Sequence, residues 1–294
     1  MKKNKLFLGY IMVILSAVIF GLMPLMTGVI RDSGANSMTI VLLRNLLSVP
    51  VLGVLAYFQN KTLKVPVKSL YPMSLAAVMG CCLTPILLYN AYPYLAENES
   101  VATVFHFIYP AVVVLGGWLF FKQKINKGTL FSLVLCIAGI CLFYDPSKPL
   151  NTTGAVLALL SGVAYAAYVL ALSTFRFKNI KSFLFSFYLS AISSVILFAV
   201  CLATQQLSFP GTTTGWIVMI LFALLVNVGA VVMFQVGVFI IGGQKASILS
   251  TMEPITSIVV SACSGVMIGI GSVIGSALVV ASTVLISVFD KPKK

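Results

Sequence analysis

Residues 6–30 run without a single charged side chain. As a helix, a stretch of that length reaches about 37 Å, at about 1.5 Å per residue. That exceeds a hydrocarbon core of about 30 Å. The run is too long for the apolar core of a secretory leader and shows no clear small-residue cleavage site. It is therefore read as a helix of the mature protein. Similar runs recur along the whole chain. In lipid every backbone polar group must find its partner within the protein, which leaves helical bundles and closed barrels. The short alternating strands of a barrel are absent. The expected fold class is an all-α integral membrane protein.

Composition agrees. Hydrophobic residues make up 60% of the chain and charged residues 9%, whereas a soluble domain carries about 25% charged residues. The net charge of +13 does not point to nucleic acid, because the basic residues sit in short connections and at the termini, where they orient spans in a bilayer. Polar or basic breaks divide the chain into ten expected spans: 8–30, 37–58, 70–95, 100–121, 128–144, 153–174, 183–203, 215–240, 246–268 and 271–289. The last two are separated only by a glycine-rich stretch, which makes that division the least sharp.

Charge orients these spans. With the N-terminus cytoplasmic, the inside segments hold Lys2, Lys3 and Lys5; Lys61, Lys64 and Lys68; Lys122, Lys124 and Lys127; Arg176, Lys178 and Lys181; Lys245; and Lys291, Lys293 and Lys294. The outside connections hold Arg31 and Lys148, and Arg44 alone lies within a span. The asymmetry places both termini inside, and a missed or invented span would scramble it.

The six cysteines, Cys81, Cys82, Cys136, Cys141, Cys201 and Cys263, lie in apolar runs and read as buried free thiols. With one histidine in the chain, no zinc-type spacing exists. No metal or cofactor is expected. HExxH, a nucleophile–histidine constellation and paired intramembrane aspartates are all missing, so an enzyme is not expected. A channel would want rings of charge or a carbonyl filter. No segment outside the membrane is long enough for a signalling domain.

The chain repeats itself. Residues 1–145 and 146–294 each carry five expected spans, and an odd number per half inverts one half relative to the other. GYIMVILSAVIF from Gly9 lies over GAVLALLSGVAY from Gly154, which sets Ser16 over Ser161. FIYP, ending at Pro110, lies over TMEP, ending at Pro254. Inverted repeats place a substrate site near the membrane midplane, where the halves meet, and support alternating access.

Ten spans in two halves, the FGLMP of the first span, the LLRN of the second, and the YP and EP steps of the fourth and ninth together resemble the drug/metabolite transporter (DMT) superfamily, in its EamA-type branch. The resemblance implies a plasma-membrane carrier of a small metabolite, often an exporter of amino acids or related compounds. It also admits importers or exchangers of amines and other organic cations, nucleobases or vitamins. The implied partners are a small-molecule substrate, the lipid bilayer and protons, in a monomer or homodimer.

Glu253 is the one acid within an expected span, about 12 Å deep at about 1.5 Å per residue. An ionised carboxylate there costs at least about 2.5–3.5 kcal/mol unless it faces a cavity or a partner. It is the leading candidate for substrate binding and proton coupling, with His106 as second candidate for both. Tyr109 is the repeat mate of Glu253, and His106, Tyr109 and Pro110 share a helix face. Pro110 and Pro254 each remove a backbone donor and predict kinks that act as hinges; Pro24, Pro85 and Pro93 predict further bends. Arg44 is a candidate for a substrate carboxylate, through a bidentate pair. Tyr89, Asn90, Tyr92, Tyr165, Tyr168, Asn227 and Gln235 complete the candidate wall: aromatic faces with a few polar groups, suited to an organic ligand or a cation. Gly265 with Gly269, and Gly271 with Gly275, predict close helix contacts.

Overall fold

The computed structural model describes residues 2–95, 102, 105–144, 151–174, 177, 180–263 and 269–288. Among these every regular element is a helix. In chain order they are α1 (Lys2–Phe20), α2 (Met23–Asp32), α3 (Ser37–Asn60) and α4 (Val67–Ala76). The π-helical segment Ala77–Leu83 leads into α5 (Thr84–Tyr94), followed by α6 (Tyr109–Phe121), α7 (Lys127–Cys141), α8 (Thr152–Thr174) and α9 (Ser182–Thr204). Next come α10 (Thr213–Phe222), the π-helical segment Ala223–Val231, α11 (Val232–Ile241), α12 (Gly243–Leu249), α13 (Met252–Cys263) and α14 (Ile270–Val288).

Six stretches are long and apolar enough to cross a membrane: Asn4–Asp32, Ser37–Asn60, Val67–Tyr94, Thr152–Thr174, Ser182–Thr204 and Thr213–Ile241. They fall on the first, second, third, sixth, seventh and eighth expected spans. Shorter apolar helices, Tyr109–Phe121, Lys127–Cys141 and Ile270–Ile286, fall on the fourth, fifth and tenth. The ninth is divided between α12 and α13.

Local signals start and stop these helices. Asn36 and Asn126 cap α3 and α7 by accepting from Thr39 N (2.8 Å) and Thr129 N (2.6 Å), and Thr212 caps α10 through Gly215 N (3.1 Å). Such caps satisfy amide donors that helix geometry leaves orphaned. Lys61, Lys122 and Gln205 end α3, α6 and α9 in the left-handed region.

The strongest helix packing joins the two halves rather than staying within either. α3 lies along α9, α7 along α14, α1 along α11, and α5 along α8. Exchanging each span for its mate five places on converts the first–eighth pair into the sixth–third pair. The second–seventh and fifth–tenth pairs map onto themselves. The two π-helical segments lie in mated spans, the third and the eighth. A π turn frees backbone groups and shifts the helix register, and such turns concentrate at functional sites.

Glycines permit the closest approaches. A Cβ on Gly139 would lie 2.7 Å from the carbonyl of Gly275, and one on Gly271 would lie 2.7 Å from that of Leu142. Gly271 and Gly275 therefore pack within the fold; Gly265 lies outside the described residues. Where the second, seventh and eighth spans meet, a seam of buried polar groups forms. Asn227 Nδ2 donates to Arg44 O (3.1 Å), Asn45 Oδ1 (3.2 Å) and Ser48 Oγ (3.3 Å), and Ser48 Oγ in turn reaches Ser190 Oγ at 3.4 Å.

Cross-half hydrogen bonds tie both ends of the bundle. At one end Gly211 N donates to Ser33 O (2.7 Å), Asn36 Nδ2 to Gln206 O (3.1 Å) and Ser208 N to Thr39 Oγ1 (3.0 Å). At the other, Lys181 Nζ donates to Gln59 O (2.5 Å) and Tyr188 Oη to Leu63 O (2.8 Å). The cysteines correct the sequence reading in part: Cys81, Cys82, Cys136 and Cys201 are buried free thiols, but Cys141 and Cys263 are exposed. A thiol packs as a small apolar group, so an apolar run alone does not decide whether it is covered.

Candidate functional site

Three broken spans meet around one cavity. The first span stops at Phe20 and restarts at Met23, with Pro24 in the new first turn. The fourth turns at Phe107 and Ile108 before α6, which opens on Tyr109 and Pro110. The ninth turns at Ser250 and Thr251 before α13, which opens on Met252, Glu253 and Pro254. This changes the expectation for the two prolines. Pro110 and Pro254 do not kink continuous helices; they occupy the first turns of new ones, where a missing N–H is no loss and the fixed φ suits the helix. The breaks themselves fall just before, at mated positions. Pro85, by contrast, follows the π-helical segment inside the continuous helical stretch Val67–Tyr94, and Pro93 lies near its end.

Gly21 holds two of these breaks together. A Cβ there would lie 2.8 Å from the carbonyl of Glu253, and Ser257 Oγ donates to Gly21 O at 2.9 Å. Gly80, in the first π-helical segment, serves the opposite wall: a Cβ there would lie 2.5 Å from the ring of Tyr168. These approaches shape a narrow cavity, with about 50 Å³ open to the centre of a water-sized sphere. The first half supplies Phe20, Met23, Arg44, Gly80, Cys81, Thr84, Pro85, Leu88, Tyr89 and His106; the second supplies Tyr165, Tyr168, Val231, Phe234 and Glu253.

Glu253 is half-buried, and its carboxyl has no hydrogen-bond or salt-bridge partner among the described residues. The first turn of α13 favours negative charge there through the unpaired amides of a helix start. Arg44 is 5% exposed. It donates from Nη1 to Tyr89 Oη at 2.8 Å and lies 6.0 Å from the centroid of that ring. Its Nε is buried without a partner, and no carboxylate of the described residues pairs with it. Tyr89 is fixed in turn by its hydroxyl on Met23 Sδ (3.7 Å) and by the stacked ring of Tyr92 (6.1 Å, 18°). A guanidinium held this way keeps part of its donor fork open, and that fork matches a carboxylate.

The remaining wall is aromatic. Tyr165 stacks on Phe234 (5.7 Å, 29°), meets Tyr109 edge-on (4.8 Å, 88°) and flanks Tyr168 (5.7 Å) and His106 (5.8 Å). Tyr168 is held by Gln235 Nε2 at 2.9 Å, and Gln235 Oε1 accepts from Ser186 Oγ at 2.5 Å. His106 Nδ1 lies 2.8 Å from Ser161 Oγ.

The structure thus gathers six sequence candidates on one cavity: Glu253, Arg44, His106, Tyr89, Tyr165 and Tyr168. Five others do not line it. Tyr109 is buried behind it, with its hydroxyl on Ser250 Oγ. Gln235 supports Tyr168, Asn227 belongs to the polar seam, and Tyr92 backs Tyr89. Asn90 bonds Ile86 O of its own helix (2.8 Å). Apolar lining such as Phe20, Met23 and Phe234 was not among the candidates, because in a membrane protein a lining phenylalanine looks like a lipid-facing one. Gly80 gave one signal that sequence reading passed over: a glycine in mid-span, beside Cys81 and Cys82, marks a close approach.

Comparisons with known proteins agree with this architecture. The model of the EamA-like transporter family matches the chain twice, over residues 7–144 and 152–288. No curated protein matches it. Among solved structures, one titled only "Crystal structure of protein" superposes with a TM-score of 0.72 at 14% identity, covering the whole of both chains. That likeness is one of fold.

Proposed function

This chain belongs to the EamA-like transporter family, and we propose that it moves a small organic metabolite with both a cationic and an anionic group, an amino acid or related compound, by alternating access. It is a multi-pass protein of the cell membrane. In this reading ten crossings form two inverted halves, 1–145 and 146–294, with both termini cytoplasmic. The observation that carries the substrate assignment is the cavity between the halves: it holds an acid with no partner among the described residues, Glu253, from one half and an incompletely satisfied guanidinium, Arg44, from the other. Buried charges normally come paired, because an unpaired one is costly away from water. A ligand with an ammonium and a carboxylate would supply both partners at once.

The two end ties fit alternating access. Exchange of the halves carries the tie between residues 33–39 and 206–211 onto the tie between residues 181–188 and 59–63. A cycle that opens one must close the other, with the breaks at Pro110 and Pro254 as hinges. Export is the proposed direction, and Glu253 with His106 the proposed route for a coupled proton. A second reading rests on the aromatic wall: Tyr165, Tyr168 and Phe234 around a carboxyl also suit an organic cation without a carboxylate.

The test is a thermal-shift screen of the purified protein against amino acids, amines, nucleosides and vitamins, followed by uptake of each hit into proteoliposomes. Selective stabilisation by zwitterions, with uptake, is the expected result. Stabilisation by cations regardless of a carboxylate would replace the first reading with the second. A folded protein that neither responds nor transports would refute both.

A further inference from the structure

His106 has two ring nitrogens, and its surroundings decide which one meets the cavity. Ser161 Oγ lies 2.6 Å from the carbonyl of Ala158 and 2.8 Å from His106 Nδ1. A hydroxyl has one proton, and a carbonyl can only accept. At 2.6 Å the Ser161 hydroxyl donates to Ala158 O, and its oxygen in this arrangement accepts from His106 Nδ1. The neutral imidazole then carries its hydrogen on Nδ1, and Nε2 is left as a bare lone pair. That nitrogen has no partner among the described residues, and His106 lines the cavity. The arrangement has little slack. Ser161 is fully buried, and a Cβ on the adjacent Gly162 would lie 3.1 Å from the carbonyl carbon of His106. The rings of Phe107 (5.4 Å), Tyr109 (5.6 Å) and Tyr165 (5.8 Å) enclose the imidazole.

We propose that His106 is a specificity-determining acceptor: through Ser161 it presents a bare Nε2 to the cavity, so a cationic ligand group reaching this wall must bring an N–H. Primary and secondary amines meet that demand, and quaternary ammonium groups do not. The inference rests on the cavity being the substrate site. It adds a criterion that the charges of Glu253 and Arg44 do not impose, because a quaternary cation satisfies Glu253 equally well. The other titratable groups on this cavity are Glu253, Arg44, Tyr89, Tyr165, Tyr168 and Cys81.

The chain has one histidine, so histidine labelled with nitrogen-15 gives a single pair of ring signals. In lipid nanodiscs at neutral pH, the ligand-free protein should show the hydrogen on Nδ1 and an unprotonated Nε2. Methylammonium should move the Nε2 signal, whereas tetramethylammonium, which has the charge without the hydrogen, should leave it in place. Ser161→Ala should bring a population with the hydrogen on Nε2. A wild-type spectrum with the hydrogen on Nε2, or on both nitrogens, overturns the inference and leaves the substrate-site reading intact. So does an Nε2 signal moved equally by both cations. The expected tautomer with a signal that neither cation moves overturns the acceptor role. If the ligand screen is flat as well, the substrate-site reading has failed independently.

Discussion

Replacing Glu253 by Gln separates a structural carboxyl from a working one. In the ligand-free protein the carboxyl makes no hydrogen bond or salt bridge with a described residue, so the isosteric amide forfeits no contact. It also removes an ionisable group whose charged form insertion scales penalise by about 2.5–3.5 kcal/mol at a helix centre, and less beside a cavity. The variant should therefore unfold at the same temperature as the parent or higher. Ligand response should fall. A ligand at 100 times its Kd stabilises by about 2.7 kcal/mol. Losing one charge-assisted hydrogen bond, worth about 1.5–3 kcal/mol, weakens binding roughly 10- to 150-fold. The same concentration then stabilises by only about 0.3–1.3 kcal/mol. The assay is thermal unfolding of both proteins with and without the best hit of the screen, at fixed ligand concentration. A variant destabilised by more than about 1 kcal/mol that keeps its full ligand shift would refute the reasoning. Glu253 would then be holding the bundle together through contacts the structure does not show.

Other outcomes follow from the same geometry. If Glu253 carries a proton, transport by the parent should vary with pH and Glu253→Gln should flatten that profile; an unchanged profile in proteoliposomes removes the residue from coupling. Arg44→Lys keeps the charge but loses the planar fork, so it should weaken zwitterion binding about tenfold or more while amines without a carboxylate bind as before, measured by ligand shift. Gln235→Leu leaves the hydroxyls of Tyr168 and Ser186 without their buried partner and should cost roughly 2–4 kcal/mol in thermal or denaturant unfolding. Gly139→Ala puts a methyl 2.7 Å from the Gly275 carbonyl, where no side chain can yield. It should destabilise by about 1–3 kcal/mol in the same assay.

Much of the fold was legible because lipid imposes a length on each crossing. The long spans lie where unbroken apolar runs put them, and the mated YP and EP steps do mark mated breaks. Facing was not legible. In a soluble helix the apolar stripe shows which side is buried, but here lipid makes the outer side apolar too. Depth therefore follows from position along a run, and direction does not. Asn227, Gln235 and Tyr89 all lie within expected spans, yet only Tyr89 reaches the cavity, and nothing in their spacing says so. The π-helical segments were also illegible, since Ala77–Leu83 and Ala223–Val231 contain no residue that demands the extra turn. Arg44 and Glu253 could be found because a charge at such depth has few affordable surroundings, and a cavity is one of them.

The cross-half packing bears on how the molecule is made. The most extensive contacts of α1, α3, α5 and α7 are with helices that the ribosome has not yet synthesised when these four enter the bilayer. The early half must therefore wait as a set of inserted but loosely associated segments, with Arg44 lacking the neighbour that the second π-helical segment provides through Asn227. Assembly is then a late, collective event set off by the arrival of the second half. The two halves, made as separate polypeptides in one cell, should find each other for the same reason that neither can settle alone.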